Sequence, residues 1–387
     1  MKRIPIAFVA IGLLAKLSSA QPQPQYSVID LGTLGGNYSY AFGINNAGVV
    51  AGAAATPNQT DGLASTAFLW YGGLIINLGT LGGSACPTCN SAGGGPNSNG
   101  ESAISSEVGE IDPNGEDFCE FGTHRRCLGA VWKDATLRAL PPLPGGHNAN
   151  AFWINNHGEV VGFAENGNKE KPGFCLTPFQ LYDFMAVVWD ARGVPRALRP
   201  LKGDTVSFGF GINDNGEAVG ASGTCDTVAL PPNPAAPRAV FWEKDGTPID
   251  LGGLIEGVPN AIASSVNNRG EVVGAAQGAD GNFHMFWWTK QTGMQDLGNL
   301  PGDFATVAPC CNTINNSGEI VGFSLPGPLG SGRAFVRRDK VLTDLNTLIP
   351  PNSGWYLQAA LSVNDAGEIV GYGTIKGETH AFLATPR

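Results

Sequence analysis

Apolar positions in this chain come in short runs that return in three fixed forms, always in the same order, separated by turns rich in glycine and asparagine. The first form is an apolar strand that ends in Asn-x-x-Gly and resumes as Glu-Val-Val-Gly: INNAGVVAG from Ile44, INNHGEVVG from Ile154, INDNGEAVG from Ile212, VNNRGEVVG from Val266, INNSGEIVG from Ile314 and VNDAGEIVG from Val363. The second sets a small residue before bulky ones, as in AFLW from Ala67, AVW from Ala130, AVVW from Ala186, AVFW from Ala239, MFWW from Met285, AFV from Ala334 and AFL from Ala381. The third carries Asp-Leu-Gly or a relative of it: IDLGTLGG from Ile29, INLGTLGG from Ile76, RALPPLPGG from Arg138, RALRPLKGD from Arg196, IDLGGLIEG from Ile249, QDLGNLPGD from Gln295 and TDLNTLIPP from Thr343. Short runs bounded by such turns are strands. The second and third forms occur seven times, and the missing seventh copy of the first is sought in SAISSEVGE from Ser102, as a remnant with a shortened turn.

One module therefore reads as four strands. Strand A leads into the Asn-x-x-Gly turn, strand B leaves it, strand C carries the bulky residues and strand D the Asp-Leu-Gly. A four-stranded unit that recurs about every 50 residues cannot bury both faces alone and must stack on its neighbours, as the blades of a propeller do. The expected fold is all-β, a seven-bladed β-propeller with four antiparallel strands per blade, forming a single domain over 21–387. The chain opens on a D pattern at Ile29 and closes on a C pattern at Ala381. The N-terminal strand is thus expected to complete the last blade, which closes the ring and leaves no open sheet edge. Strand A then lines the channel and strand D faces outward.

Lys2 and Arg3, the apolar run Ile4–Leu14 and the small residues Ser18, Ser19 and Ala20 have the layout of a cleaved secretory signal over 1–20. Export to the periplasm or beyond places the eight cysteines where an even number is expected to pair. A metal site built on Cys86, Cys89, Cys119 and Cys127 is the less favoured alternative, and eight cysteines allow 105 pairings. Cys310 and Cys311, being adjacent, either bridge each other or pair elsewhere. The net charge of −10, with 23 scattered Lys and Arg, excludes a nucleic-acid partner. No later apolar run is long enough to span a membrane. A monomer that binds a small molecule or glycan fits this surface.

The segments His380-Ala381-Phe382 and Asp-Leu-Gly resemble those of the bacterial HAF-repeat family of extracellular proteins, and the resemblance covers Tyr26 to Arg387. It implies export and repetition, and brings no catalytic residues with it.

Strand order puts the A to B turns on one face of the ring, and the B to C and D to A loops on the other. The first face is uniform. Its Asn45, Asn155, Asn213, Asn267, Asn315 and Asn364 are expected to serve the turns, since Asn bonds its own backbone there, and Glu159, Glu217, Glu271, Glu319 and Glu368 read as solvated strand positions. The second face is irregular and carries all the cysteines, so function is expected there, as binding and catalysis concentrate on long loops over a rigid scaffold. Departures from the repeat in the D to A loops single out His147, Asp204, Glu256 and Asp303. Asp204, Glu256 and Asp303 are oxygen donors suited to Ca²⁺, and His147 to general acid or base work. His124, His157, His284 and His380 are weaker candidates. Two functions follow: binding of a small ligand, glycan or surface partner through the cysteine-bearing face, or a Ca²⁺-dependent hydrolase of lactone or ester type with its metal at the channel mouth. No nucleophile elbow, zinc-protease helix or phosphate loop is present in the sequence.

Overall fold

The computed structural model describes residues 26–387 except 58, 60–63, 170–179, 225–236, 309–311 and 328–329. The signal segment and Cys175, Cys225, Cys310 and Cys311 lie outside the described residues. Seven four-stranded antiparallel sheets form the ring. Blade 1 runs from strand A, Ser39–Ile44, to strand D, Leu74–Gly79. Blade 2 runs from Ser91–Pro96 to Thr136–Leu140, blade 3 from Ala149–Ile154 to Pro195–Ala197, and blade 4 from Val206–Ile212 to Pro248–Asp250. Blade 5 runs from Ala261–Val266 to Gly293–Asp296 and blade 6 from Ala305–Val307 to Val341–Asp344. Blade 7 takes its first three strands, Trp355–Val363, Ile369–Ile375 and Glu378–Pro386, from the end of the chain and its fourth, Tyr26–Asp30, from the beginning. Tyr26 stands opposite Pro386 and Asp30 opposite Phe382, so the expected closure is the one the chain makes.

The bulky residues of strand C fill the space between sheets. Phe68, Trp189, Trp242, Phe241, Phe286, Phe335 and Phe382 are all fully buried, and each supplies a few kcal/mol of burial at about 25 cal/mol per Å². The residue before them ties one blade to the next through its backbone. The backbone N–H of Ala381 donates to Ser39 Oγ of the next blade (2.9 Å), and that hydroxyl donates to the carbonyl of Gly32 (2.7 Å). Ser91 does the same to Ala67 and Gly79, Ser207 to Ala186 and Leu198, and Thr306 to Met285 and Gly298. One hydroxyl thus ties strands C and D of a blade to strand A of the next. The residue ahead of the small one pairs with the Asp of strand D: His380 with Asp30 (2.8 Å), His284 with Asp296 (2.8 Å), Arg238 with Asp250 (3.2 Å) and Arg333 with Asp344 (3.2 Å).

Blade 2 is regular, and the alignment expected for it is corrected. Its A to B turn is not a shortened remnant inside SAISSEVGE. It is Asn97-Ser98-Asn99-Gly100, full length, and Ser102–Ile111 is the strand that follows. The turn escaped the pattern because strand A of this blade is Ser-Ala-Gly-Gly-Gly-Pro, with no Ile or Val to announce it. Those glycines answer to neighbouring blades: a Cβ on Gly94 would come within 2.0 Å of the Phe152 carbonyl oxygen, and one on Gly95 within 2.2 Å of the Trp153 indole.

With Asn97 added, seven buried asparagines form a closed ring. Each donates from Nδ2 to the backbone carbonyl of the equivalent Asn in the next blade: Asn45 to Asn97, Asn97 to Asn155, Asn155 to Asn213, Asn213 to Asn267, Asn267 to Asn315, Asn315 to Asn364 and Asn364 back to Asn45, at 2.9 to 3.1 Å. In every blade but the first, the second Nδ2 hydrogen goes to the Glu four residues on, as from Asn267 to Glu271 (2.6 Å) and from Asn364 to Glu368 (2.7 Å). These glutamates are therefore bonded into the ring rather than simply solvated.

Candidate functional site

Among the described residues, the irregular face carries two disulfides at blade 2. Cys86 and Cys89 are joined in the loop from blade 1 to blade 2, and Cys119 is joined to Cys127. Cys127 lies in strand C of blade 2, Arg125–Lys133, not in a loop as its place in the sequence suggests. The described cysteines thus form disulfides rather than a metal site. A bridge between a loop and a strand limits the conformations open to that loop.

Beneath these loops lie carboxylates that the repeat pattern does not mark. Glu107 and Glu165 occupy the same place in strand B of blades 2 and 3, and both are fully buried. Each is matched to an Asn seventeen residues earlier, at the entry to strand A: Glu107 Oε2 accepts from the Asn90 N–H (2.6 Å), and Glu165 Oε2 from the Asn148 N–H (3.0 Å). Blade 5 keeps a neutral version, Asn260 with Gln277 (3.3 Å). Around Glu165 the network widens. It accepts from the backbone N–H of His147 (2.7 Å), from Asn148 Nδ2 (3.0 Å) and from Gln180 Nε2 (3.1 Å). Asn148 Nδ2 also donates to Asp112 (2.8 Å), which holds an Asx turn by accepting from the N–H groups of Asn114 and Glu116. Glu116, fully buried in the loop between strands B and C of blade 2, reaches across to blade 3 and accepts from the N–H groups of Leu181 and Tyr182.

Burial, then the charge of Glu165, pushes the Glu116 carboxyl up from its ordinary 4.5 to about 7, against the downward pull of the Leu181 N–H. Burial likewise raises Glu107 and Glu120. The oxygens of Glu116 and Glu165 are occupied by loop N–H and amide groups, so these acids brace the B to C loop of blade 2 against residues 180–182 of blade 3. A measurable consequence follows. With its folded value above the unfolded one, Glu116 contributes no penalty below about pH 4.5 and destabilises progressively as pH rises through about 7. Glu116→Gln, which keeps the acceptor oxygen, is expected to flatten that part of the stability curve and to raise stability at pH 8 by about 2 kcal/mol. Thermal melts of both proteins from pH 4 to pH 9 check this, and parallel curves would refute it.

The four residues singled out in the sequence are not brought together. His147 is half-buried beside this network, its ring 5.5 Å from that of Tyr182. Asp204, in blade 4, is bound by Arg238 (2.8 Å) and by Ser222 Oγ (2.6 Å). Asp303 repeats the arrangement in blade 6 with Arg333 (2.7 Å), its side chain only 2% exposed. Glu256 is exposed in the turn leading to blade 5. Both Asp303 oxygens and Oδ2 of Asp204 are held by guanidinium groups, and the described residues contain no cluster of three His, Cys, Asp or Glu side chains able to hold a metal ion. The donor set named for Ca²⁺ therefore does not fit that ion. Among the histidines, His284 is drawn into the strand C to D pairing. Burial pulls its pKa down, but the bonds and charges of Asp296 and Asp280 outweigh that and raise it.

On the opposite, asparagine-turn face the channel holds a cavity of about 280 Å³, lined by the turns and by Trp153. Nothing in the sequence distinguished that face, because its residues are those of the repeat itself.

Comparison with known proteins bears on the architecture. No family model matches the chain, and no curated protein sequence does. Among solved structures the chain is similar to a puromycin hydrolase (13% identity, TM-score 0.54, 90% of this chain and 54% of that one). It is also similar to a puromycin-hydrolyzing peptidase from Mycobacterium tuberculosis (14%, TM-score 0.55, 93% and 56%) and to virginiamycin B lyase from Staphylococcus aureus (10%, TM-score 0.52, 93% and 99%). The chain spans about half the length of the two hydrolases. At these identities the likeness is one of fold. The two disulfides are compatible with an extracellular or periplasmic protein, and no helix among the described residues is long and apolar enough to cross a membrane.

Proposed function

We propose that this is a secreted binding propeller that engages a glycan, small molecule or surface partner through the loops of blades 2 and 3. The observation that carries the reading is the construction of that face among the described residues: two disulfides, and a blade 2 loop tied to residues 180–182 of blade 3 by the Asp112–Glu116–Asn148–Glu165 network. Bracing of this kind preorganises a binding surface and lowers the entropy lost on association. Two large apolar side chains stand exposed where the braced segments end, Ile111 at 60% and Leu181 at 37%, and supply the apolar contacts an interface needs. The calcium-hydrolase alternative draws no support from the placement of Asp204, Glu256 and Asp303.

The test uses the full chain on a glycan array and on purified bacterial surface polysaccharides, with lactone and ester substrates assayed in parallel with Ca²⁺ or chelator. Ile111→Asp combined with Leu181→Asp is expected to weaken any binding about tenfold or more, with an unchanged melting temperature. Binding indifferent to that pair of changes, or Ca²⁺-dependent turnover, would overturn the proposal.

A further inference from the structure

The uniform face carries a second feature. In six of the seven blades the residue two positions before the turn asparagine is small: Gly43, Gly95, Gly211, Ser265, Thr313 and Ser362. Blade 3 has Trp153 there. Its indole lies against the backbones of blades 1 and 2, since a Cβ on Gly43 would come within 2.8 Å of it and one on Gly95 within 2.2 Å. Phe42 of blade 1 packs against the apolar cluster that contains Trp153. Gly43 and Gly95 thus make room for one indole reaching from blade 3 to blade 1, and it lines the cavity of about 280 Å³ together with the turns. That volume is at the small end for ligand sites, enough for one small molecule.

The rim is formed by the residues that follow the ring asparagines, and its hydrogen bonds leave a one-sided surplus. Asp214 accepts from the Asn156 N–H (2.8 Å) and from Nδ2 of both Asn156 and Asn268 (3.0 and 2.9 Å). Asp365 accepts from the Asn316 N–H (2.8 Å) and from Nδ2 of Asn46 and Asn316 (2.8 and 3.0 Å). The amide oxygens of Asn46, Asn156, Asn268 and Asn316 are also taken, by backbone N–H groups of the neighbouring blade. Each of these four amides is left with one N–H beyond its bond to a carboxylate, because a primary amide carries two. Below the rim the lining is mainly polar turn backbone and amide, because Ile44, Ile154, Ile212 and Ile314 are buried between the blades, and Trp153, one residue deeper than Ile154, is 9% exposed.

We propose that this cup binds a single neutral sugar ring, free or at the end of a chain. A pyranose offers hydroxyl oxygens for the rim N–H groups and a C–H group for the small exposed part of the indole. A cation would find the carboxylate oxygens already occupied, and an anion would meet two aspartates on a protein of net charge −10. The site is distinct from the loop face of blades 2 and 3 and does not depend on it.

The experiment is saturation-transfer NMR on the full chain with glucose, galactose, mannose and N-acetylglucosamine, with choline and inorganic phosphate as competing probes. A ligand of this size is expected to bind with Kd on the order of millimolar. Ser98→Trp narrows the mouth at its smallest rim residue and is expected to weaken binding at least about tenfold, the melting temperature showing that the ring is intact. Trp153→Leu is expected to weaken sugar binding, read as a loss of saturation transfer to the sugar. If that variant does not fold, Ser98→Trp decides alone. No transfer to any of the sugars, preference for choline or phosphate, or sugar binding untouched by Ser98→Trp would each overturn the proposal. Sugar binding lost only with Ile111→Asp and Leu181→Asp would belong to the loop face instead.

Discussion

Tyr26→Ala is expected to destabilise the propeller by about 4 kcal/mol, the range for removing a large buried aromatic ring. Tyr26 opens the strand that completes blade 7, and it has no exposed surface. Its ring packs in a cluster with Val321, Val336, Leu345, Leu357 and Phe382, drawn from blades 6 and 7, and the Arg338 guanidinium lies 5.3 Å from its centre. Its N–H donates to the Leu348 carbonyl (2.8 Å), which fixes where the N-terminal strand joins the ring. One side chain thus anchors the seam between the two ends of the chain. Denaturant unfolding checks the value, and a loss below about 1 kcal/mol would show that closure does not depend on it.

The phenylalanine variant separates packing from polarity at the same site. The Tyr26 hydroxyl is buried and has no hydrogen-bond partner among the described residues. Burial holds the phenol up at about 12, with Arg338 drawing it down and Glu319 pushing it further up. Tyr26→Phe is therefore expected to be neutral or stabilising by up to about 1 kcal/mol. The folded pKa lies above the ordinary 10, so the contribution of this group is complete below pH 10 and lost as pH rises toward 12. In the phenylalanine protein that part of the alkaline loss should be absent.

The blade count, the strand order and the seam were legible in the sequence because each rests on residues that a single strand or turn dictates. Asn and Gly set the A to B turn, and a small residue followed by bulky ones marks strand C. Blade 2 shows the limit. The form of its first strand is set by Phe152 and Trp153 of the next blade, whose approach admits only glycine, and no local pattern reports a neighbour's side chain. The acid network was hidden for a related reason. Asn90 with Glu107, and Asn148 with Glu165, meet only because strands A and B pair in one register, and seventeen residues is not a spacing that either strand or turn chemistry singles out. Asp204 and Asp303 drew notice as departures from the repeat. Their partners Arg238 and Arg333 stand where blades 5 and 7 have His284 and His380, so the departures answer one another within a blade.

Asn267→Ala is expected to cost about 3 kcal/mol, since it strips partners from two turn N–H groups, from the Asn315 carbonyl and from Glu271. Asn45→Ala should cost less, because blade 1 has Val49 where the others have glutamate. The aspartate variant is the sharper test. Asp serves an Asx turn as well as Asn does, and this protein shows it: Asp112 and Asp190 each accept from the N–H groups two and four residues on, as the ring asparagines do, in turns that make no cross-blade ring. If Asn267 served only its turn, Asn267→Asp would be close to neutral. The ring predicts the opposite. A carboxylate would lose both donors and face the Asn315 carbonyl and the Glu271 carboxylate, so the loss at pH 7 should equal or exceed that of alanine. It should shrink as pH falls and one of the two acids takes up a proton to share. A pH series of denaturant unfolding on the two variants reads this directly: a deficit for aspartate that narrows on acidification supports the ring, whereas a neutral aspartate variant would leave the asparagines as turn residues alone.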